Sequence, residues 1–281
     1  MINIQLLSDL HLESNPHFQP QPTPGADVLV LAGDIGSYQH GSMLALLGVS
    51  DFGLGRFANW PVPVLFVPGN HEYDGLEFEA TQERLQTICQ QLGIVYLEGR
   101  SIQIGPVRFV GSTLWADFDA LAGLQKPLRP GAGAETLEAL QRKVREKAFR
   151  AANHYLRKNH TLRQGQPMLA EAMREESLKS QAWLAQTLQN PFDGPTVVIT
   201  HFAPSLLSAD PRYGIVPGTA GFCNALDNTL LPLADVWLHG HLHCPVDCLS
   251  ASGCRIVANP LGYAFKDEQR GFRPDLLIEV S

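Results

Sequence analysis

A layered α/β fold is what this 281-residue sequence predicts, and three observations carry the reading. Short apolar runs rich in Val, Ile and Leu recur along the chain, mostly continuous instead of alternating with polar residues. That pattern suits strands covered on both faces. Stretches with helical periodicity separate some of these runs, and strands alternating with helices imply helix layered on sheet. Several of these runs also stop at glycine or at a polar residue, as strands do on entering a loop.

Taken in order, the first run is INIQLLSD (2–9), followed by a Pro-rich loop, NPHFQPQPTPG (15–25). The next strands are ADVLVLAGD (26–34) and PVLFVPGNH (63–71), and a helix is expected over 77–93. VRFVGSTLW (107–115) precedes a segment, about 116–181, that reads as a helical insertion. It opens on turn-forming KPLRPGAGA (126–134) and continues as a helix over 135–159. A further helix is expected over 174–189. The later strands are PTVVITH (195–201), ADVWLHGH (234–241), CRIVANP (254–260) and DLLIEV (275–280). Less helix separates them, so part of the sheet is expected to be antiparallel. The whole, 1–281, reads as one domain without internal repeats or low-complexity tracts.

Composition narrows the function classes. A hydrophobic content of 44% and a charged content of 17% suit a soluble protein with a sizeable core. No apolar run approaches the length of a membrane span, and MINIQLL lacks the basic start of a secretory leader, so a cytoplasmic location is expected. The net charge of −7 argues against gripping nucleic acid over a broad surface, while leaving room for a small phosphate-bearing substrate. The spacing of the five cysteines matches no zinc motif, and buried free thiols are expected. Within the insertion, residues 135–165 hold eight Lys or Arg against three Glu. That charge fits either a solvated helix face or a lid that attracts an anionic substrate.

Polar residues collect at strand ends. Asp9 with His11, Asp34, Asn70 with His71, His201, and His241 with His243 each follow an apolar run. Asp9 and His11 share one side if strand geometry persists past residue 8. Loops at the C-terminal ends of strands form the binding crevice of α/β sheets. So many polar groups brought together would be costly without a cation among them. Carboxylate, imidazole and amide oxygen, with no thiolate, suit Mn, Fe, Zn or Co.

In the order D-x-H (9–11), G-D (33–34), G-N-H-E (69–72), a lone His201 and G-H-x-H (240–243), the sequence resembles the calcineurin-like metallophosphoesterases. The resemblance runs from residue 2 to about 263, with the insertion its least familiar part. It implies a layered sandwich of two mixed β-sheets flanked by helices and a centre of two metal ions, with Mn, Fe or Zn expected. Asp9, His11 and His243 would hold one metal, Asn70, His201 and His241 the other, and Asp34 both. A hydroxide shared by the metals would attack the phosphorus of a phosphate ester. His71 would face the substrate and stabilise developing charge or protonate the leaving group, the alternative being a structural role. Many family members carry an acid or amide three residues after the bridging Asp, where this chain has Ser37. His71 must then use another group, and Glu72 and Asp74 are near it in sequence.

Other residues carry less. His239 is expected to face the opposite side of its strand, and His154 and His160 to lie on the surface. The loop 209–222 offers Arg212 and Tyr213 as substrate contacts, and NPLGY (259–263) is expected near the site. Phosphodiester hydrolysis is the favoured activity. A phosphomonoesterase is the nearest rival, and a nuclease, a lipid A precursor pyrophosphatase or a non-enzymatic scaffold are more distant ones.

Overall fold

The computed structural model describes residues 1–125 and 134–281, with Ala134 and Glu135 described for backbone alone. The turn expected over 126–134 therefore lies outside the described residues, apart from Ala134, which begins a helix. In chain order the elements are β1 (Ile2–Leu7), β2 (Val28–Ala32), the single-turn α1 (Met43–Leu46), β3 (Val64–Val67), α2 (Phe78–Leu92) and β4 (Val95–Tyr96). Then come β5 (Arg100–Ile104), β6 (Val107–Ser112), α3 (Ala134–Asn159), β7 (Leu162–Arg163), β8 (Gln166–Pro167) and α4 (Ala170–Leu188). The chain closes with β9 (Thr196–Thr200), β10 (Val236–His239), β11 (Val246–Leu249), β12 (Arg255–Ala258) and β13 (Leu277–Val280). The eight apolar runs and three helices expected from sequence are all present. The strands that were missed, such as β5 and β11, have half-exposed, mixed sequences at sheet edges.

Two mixed sheets form the centre. One runs β13-β1-β2-β3-β4 and the other β11-β12-β10-β9-β6-β5. In the first, β1 to β4 are parallel and β13 is antiparallel. In the second, β12, β10, β9 and β6 are parallel, with β11 and β5 antiparallel at the edges. The antiparallel part is thus confined to edges. The sparsely connected β9, β10 and β12 are parallel after all, because irregular crossovers and short 3-10 turns join them instead of long helices.

Alternate residues of the inner strands serve two cores. Ile4, Leu6, Val30, Val67, Val197 and Leu238 belong to one apolar cluster, drawn from both sheets. Leu29, Leu31, Phe66, Val198 and Trp237 turn the other way and share a second cluster with Leu85 of α2 and Leu184 of α4. Every one of these positions is buried, which is why the runs are continuously apolar. The segment expected to be an insertion lies between β6 and β9, but Gln181 falls inside α4, whose later turns cover the second sheet. One continuous helix, α4, therefore crosses the boundary expected near residue 181. No helix among the described residues is long and apolar enough to cross a membrane. The cysteines are all free. Cys89, Cys223 and Cys254 are buried as expected, whereas Cys244 and Cys248 are partly exposed.

Candidate metal centre

The C-terminal ends of β1, β2, β3, β9 and β10 meet, and each delivers one or two of the expected ligands. Asp9, His11, Asp34 and His243 form one group and Asp34, His201 and His241 another, with donor atoms in each group within 4.8 Å of one another. Asp34 belongs to both. Asn70 Oδ1 joins the second group, 3.2 Å from His201 Nε2. His11 Nε2 and His243 Nε2 face each other at 3.0 Å.

Strand geometry does not bring Asp9 and His11 together, because β1 ends at Leu7 and both residues take left-handed backbone angles, φ 52° and 45°. Asp34, His241 and His243 do the same, at 55°, 73° and 50°. Left-handed conformations at non-glycine residues cost about 1–3 kcal/mol each and persist only where the surroundings enforce them. Glu72 is one such enforcer. Its carboxylate accepts from the N–H of Asp34 (3.1 Å), Ile35 (2.6 Å) and Gly69 (2.7 Å), tying the loop after β2 to the loop after β3. Asp34 Oδ1 accepts from His71 N at 2.8 Å, and Asp9 Oδ1 from His241 N at 2.8 Å. The glycines of the motifs make room: a Cβ on Gly69 would collide with Asp34 Oδ1, and Gly33, at φ 84°, packs against the His201 ring.

Three of the imidazoles are fixed through Nδ1, which leaves Nε2 for the cluster. His11 Nδ1 meets Glu13 Oε1 at 2.9 Å, His201 Nδ1 meets the Ala32 carbonyl at 2.9 Å, and His243 Nδ1 meets Glu268 Oε2 at 2.6 Å. Such partners orient a ligating imidazole and raise its basicity. His241 lies instead among rings, 4.0 Å from Phe202 and 5.0 Å from Phe222 between centroids. Burial and the neighbouring His201 hold its pKa well below the usual value, so it is neutral.

The donors fit cations. Asp9 Oδ2 and Asp34 Oδ2 are buried without a hydrogen-bond partner, Asp34 Oδ2 lying 3.1 Å from His201 Nε2 out of alignment. Burial opposes ionisation of both carboxyls, but the surrounding histidines outweigh it, bringing Asp9 down to about 2 and Asp34 well below the ordinary range. Buried anionic oxygens of this kind call for a positive charge between them. The O and N donor set matches the metals expected from sequence.

His71 stands beside the cluster, and Asp74 answers the question raised by Ser37. His71 Nδ1 lies 2.5 Å from Asp74 Oδ2, and Ser37 Oγ donates to that same oxygen at 3.2 Å. The 3-10 turn His71–Tyr73 makes this possible, because positions three apart eclipse in that geometry. Burial acts against protonation of His71, but the charges of Asp74 and Asp34 dominate and raise its pKa well above the usual value. His71 therefore keeps its proton at neutral pH.

Several expectations move. Neither Arg212 nor Tyr213 lines the cavity over the cluster. Arg212 is held by Asp210, with Nη2 to Oδ2 at 2.6 Å, and Tyr213 is 67% exposed beside it. His239 is buried and uses both ring nitrogens, on Ser208 Oγ and the Gly240 carbonyl, as its opposite-facing position required. Burial takes its pKa down to about 4. His154 and His160 are exposed. Tyr263 of NPLGY stacks on His11 at 4.2 Å, and Lys266 beyond it reaches the cavity.

The basic helix is reoriented too. α3 does wall the cavity, but through Ala151, Ala152, Tyr155, Leu156 and Asn159, one face of the helix. No Lys or Arg of α3 lines it among the described residues. Arg145 instead pairs with Asp119, and Arg163, beyond the helix, with Glu79, Glu175 and Glu176.

Residues 3–245 match the family model of calcineurin-like phosphoesterases. Among solved structures, a phosphopantetheinyl hydrolase (PptH) from Mycobacterium tuberculosis aligns with a TM-score of 0.66 at 20% identity, covering 99% of this chain and 95% of that one. A dimetal phosphatase from Danio rerio aligns at 0.50 and 15% identity, covering 92% and 86%. At these identities the likeness concerns the fold. No curated protein matches the sequence significantly.

Proposed function

Since this chain belongs to the calcineurin-like phosphoesterases, metal-dependent hydrolases of phosphate esters, we propose that it hydrolyses phosphodiesters at the cluster around Asp34. Asp9, His11 and His243 would hold one cation and Asn70, His201 and His241 the other, with Asp34 common to both. When bound, such a pair supplies Lewis-acid chemistry, polarising the phosphoryl group and lowering the pKa of water. The remaining work falls to the chain itself. His71, kept protonated and aimed by Asp74, donates its proton to the departing ester oxygen. Tyr263 buttresses the His11 ring, and the Lys266 ammonium faces the phosphoryl charge.

The observation that supports a diester is the cavity itself, about 330 Å³, with the metal ligands on one side and an apolar wall on the other. Among the described residues Lys266 is its one Lys or Arg. A monoester dianion gains most from several cations and fits entirely against the polar side. A diester monoanion needs less charge, and its second ester group needs a place to go. The basic residues of α3 that would favour a nuclease are turned away from the cavity.

The test is hydrolysis of bis-p-nitrophenyl phosphate beside p-nitrophenyl phosphate, on metal-stripped protein given back Mn, Zn or Fe. A metal-dependent preference for the diester is expected. Preference for the monoester moves the assignment to a phosphomonoesterase.

A further inference from the structure

We propose that the apolar half of the cavity is a subsite for one ester arm of the substrate, and that this arm is an uncharged, largely apolar chain. The inference rests on the phosphodiesterase reading and adds the chemical class of the substrate.

The wall is continuous with the metal site. Phe222 stacks on the ligand His241, with ring planes 28° apart. Next to it, Gly221 sits so close to Phe118 and Ala152 that a Cβ there would lie 3.4 and 3.7 Å from them. Ala151, Ala152, Tyr155 and Leu156 carry the surface along α3, and Met173 closes it from α4. A ligand bound at the metals meets this surface without crossing open solvent.

The wall is short of polar partners. The Asn159 side chain and the Tyr155 hydroxyl are its uncharged hydrogen-bonding side-chain groups among the described residues. A nucleoside or sugar arm would bring several donors and acceptors against it, and burying them unpaired is costly. An alkyl chain brings none. Two aromatic rings at this wall remain wet, Tyr155 65% and Phe222 44% exposed, and an apolar arm would cover both. Lys266, 4.7 Å above the Tyr263 ring, stands on the metal side of the cavity, where the phosphoryl charge belongs.

The experiment is calorimetric binding of O-alkyl methylphosphonates, monoanionic diester mimics that resist hydrolysis, to the metal-loaded protein. Methyl, butyl and octyl members are compared with a carboxyalkyl member and a nucleoside 5′-methylphosphonate. Burial of methylenes predicts affinity rising about 4-fold per carbon until the cavity is full, with the charged and nucleoside members weaker than butyl. In Leu156→Asp and, separately, Tyr155→Ala, the butyl-to-methyl ratio is expected to fall, roughly 10-fold in the aspartate variant. A flat alkyl series, or tighter binding of the nucleoside member, overturns the subsite. Hydrolysis of bis-p-nitrophenyl phosphate by the same preparation separates the two readings. A flat series in a protein that cleaves the diester removes the subsite and leaves the phosphodiesterase. A steep series supports the subsite whatever that assay gives.

Discussion

The two halves of the metal cluster share Asp34 and differ in almost everything else. The first adds a second carboxylate, Asp9, and two imidazoles whose far nitrogens face carboxylates, Glu13 behind His11 and Glu268 behind His243. The second adds a neutral amide, Asn70, an imidazole tied to the Ala32 carbonyl, and His241, held among aromatic rings. Both halves are buried at strand ends, so position does not distinguish them. Charge does. The first half concentrates four carboxylates around its histidines and by that charge would hold a cation more tightly than the second. Fold alone places ligands, and the groups behind them grade the two positions.

The largest expected effect erases this difference. Asp34→Asn removes the ligand common to both halves, and the variant is expected to lose both cations and all measurable turnover. Near-normal turnover with two metals bound, read by elemental analysis, would refute the shared role. Next in size is His71→Ala, which removes none of the expected ligands. Both metals should stay, and turnover should fall by about 10²–10⁴-fold, the usual contribution of a general acid. Asp74→Asn should fall less and should move the pH profile. His71 acts in its protonated form, so activity declines as pH rises through its pKa. Asp74 raises that pKa, so removing its charge shifts the alkaline limb to lower pH. An unmoved limb would mean that Asp74 only holds the loop.

Glu268→Gln tests the grading itself. It keeps a hydrogen-bonding partner for His243 Nδ1 but removes the charge, and partners of this kind are typically worth about 10–100-fold in metal affinity. Loss from the tighter of two binding steps, with the weaker one unchanged, is expected. Equal weakening of both steps would show that the halves are not independent.

How much of this the sequence shows follows from what fixes each residue. Candidate metal ligands are O or N donors at strand ends, so Asp9, His11, Asp34, Asn70, His201, His241 and His243 stand out against apolar runs, and the fold brings them together. The means by which Asp9 and His11 converge were hidden, because left-handed angles at non-glycine residues leave no mark in composition. Asp74 was visible three residues from His71, but only a 3-10 turn makes that spacing a contact. Glu268 lies 25 residues from His243 and could not be paired with it locally. The α3 wall misled for a different reason. Its Lys and Arg dominate the composition, yet the face turned to the metals is set by Ala151, Ala152, Tyr155 and Leu156, at spacings that charge counting ignores. The sequence offers Arg212 as a substrate contact, but Asp210, two residues away, holds it.

The smallest effect is a count of protons. In the metal-free protein, burial works against protonation of His243 and His201, but Asp9 with Glu268 in the first half, and Asp34 with Asp9 in the second, bring each pKa up to about 9. Both imidazoles are therefore protonated at pH 7 and must lose that proton to ligate. Asp9, at about 2, and Asp34, held well below the ordinary carboxylate range, have none to lose, and neutral His241 adds none. Filling each half should thus displace about one proton from these groups at pH 7, fewer as pH rises through 9 and almost none well above it. Calorimetric titration in buffers of different ionisation enthalpy measures the number. About one proton from His243 and about one from His201 is the contribution expected: the fixed charge around these two histidines differs between the halves, and the number of protons they carry does not. Release confined to the tighter step would instead mean that the second half binds through His201 already deprotonated, and would trace the difference between the halves to protonation.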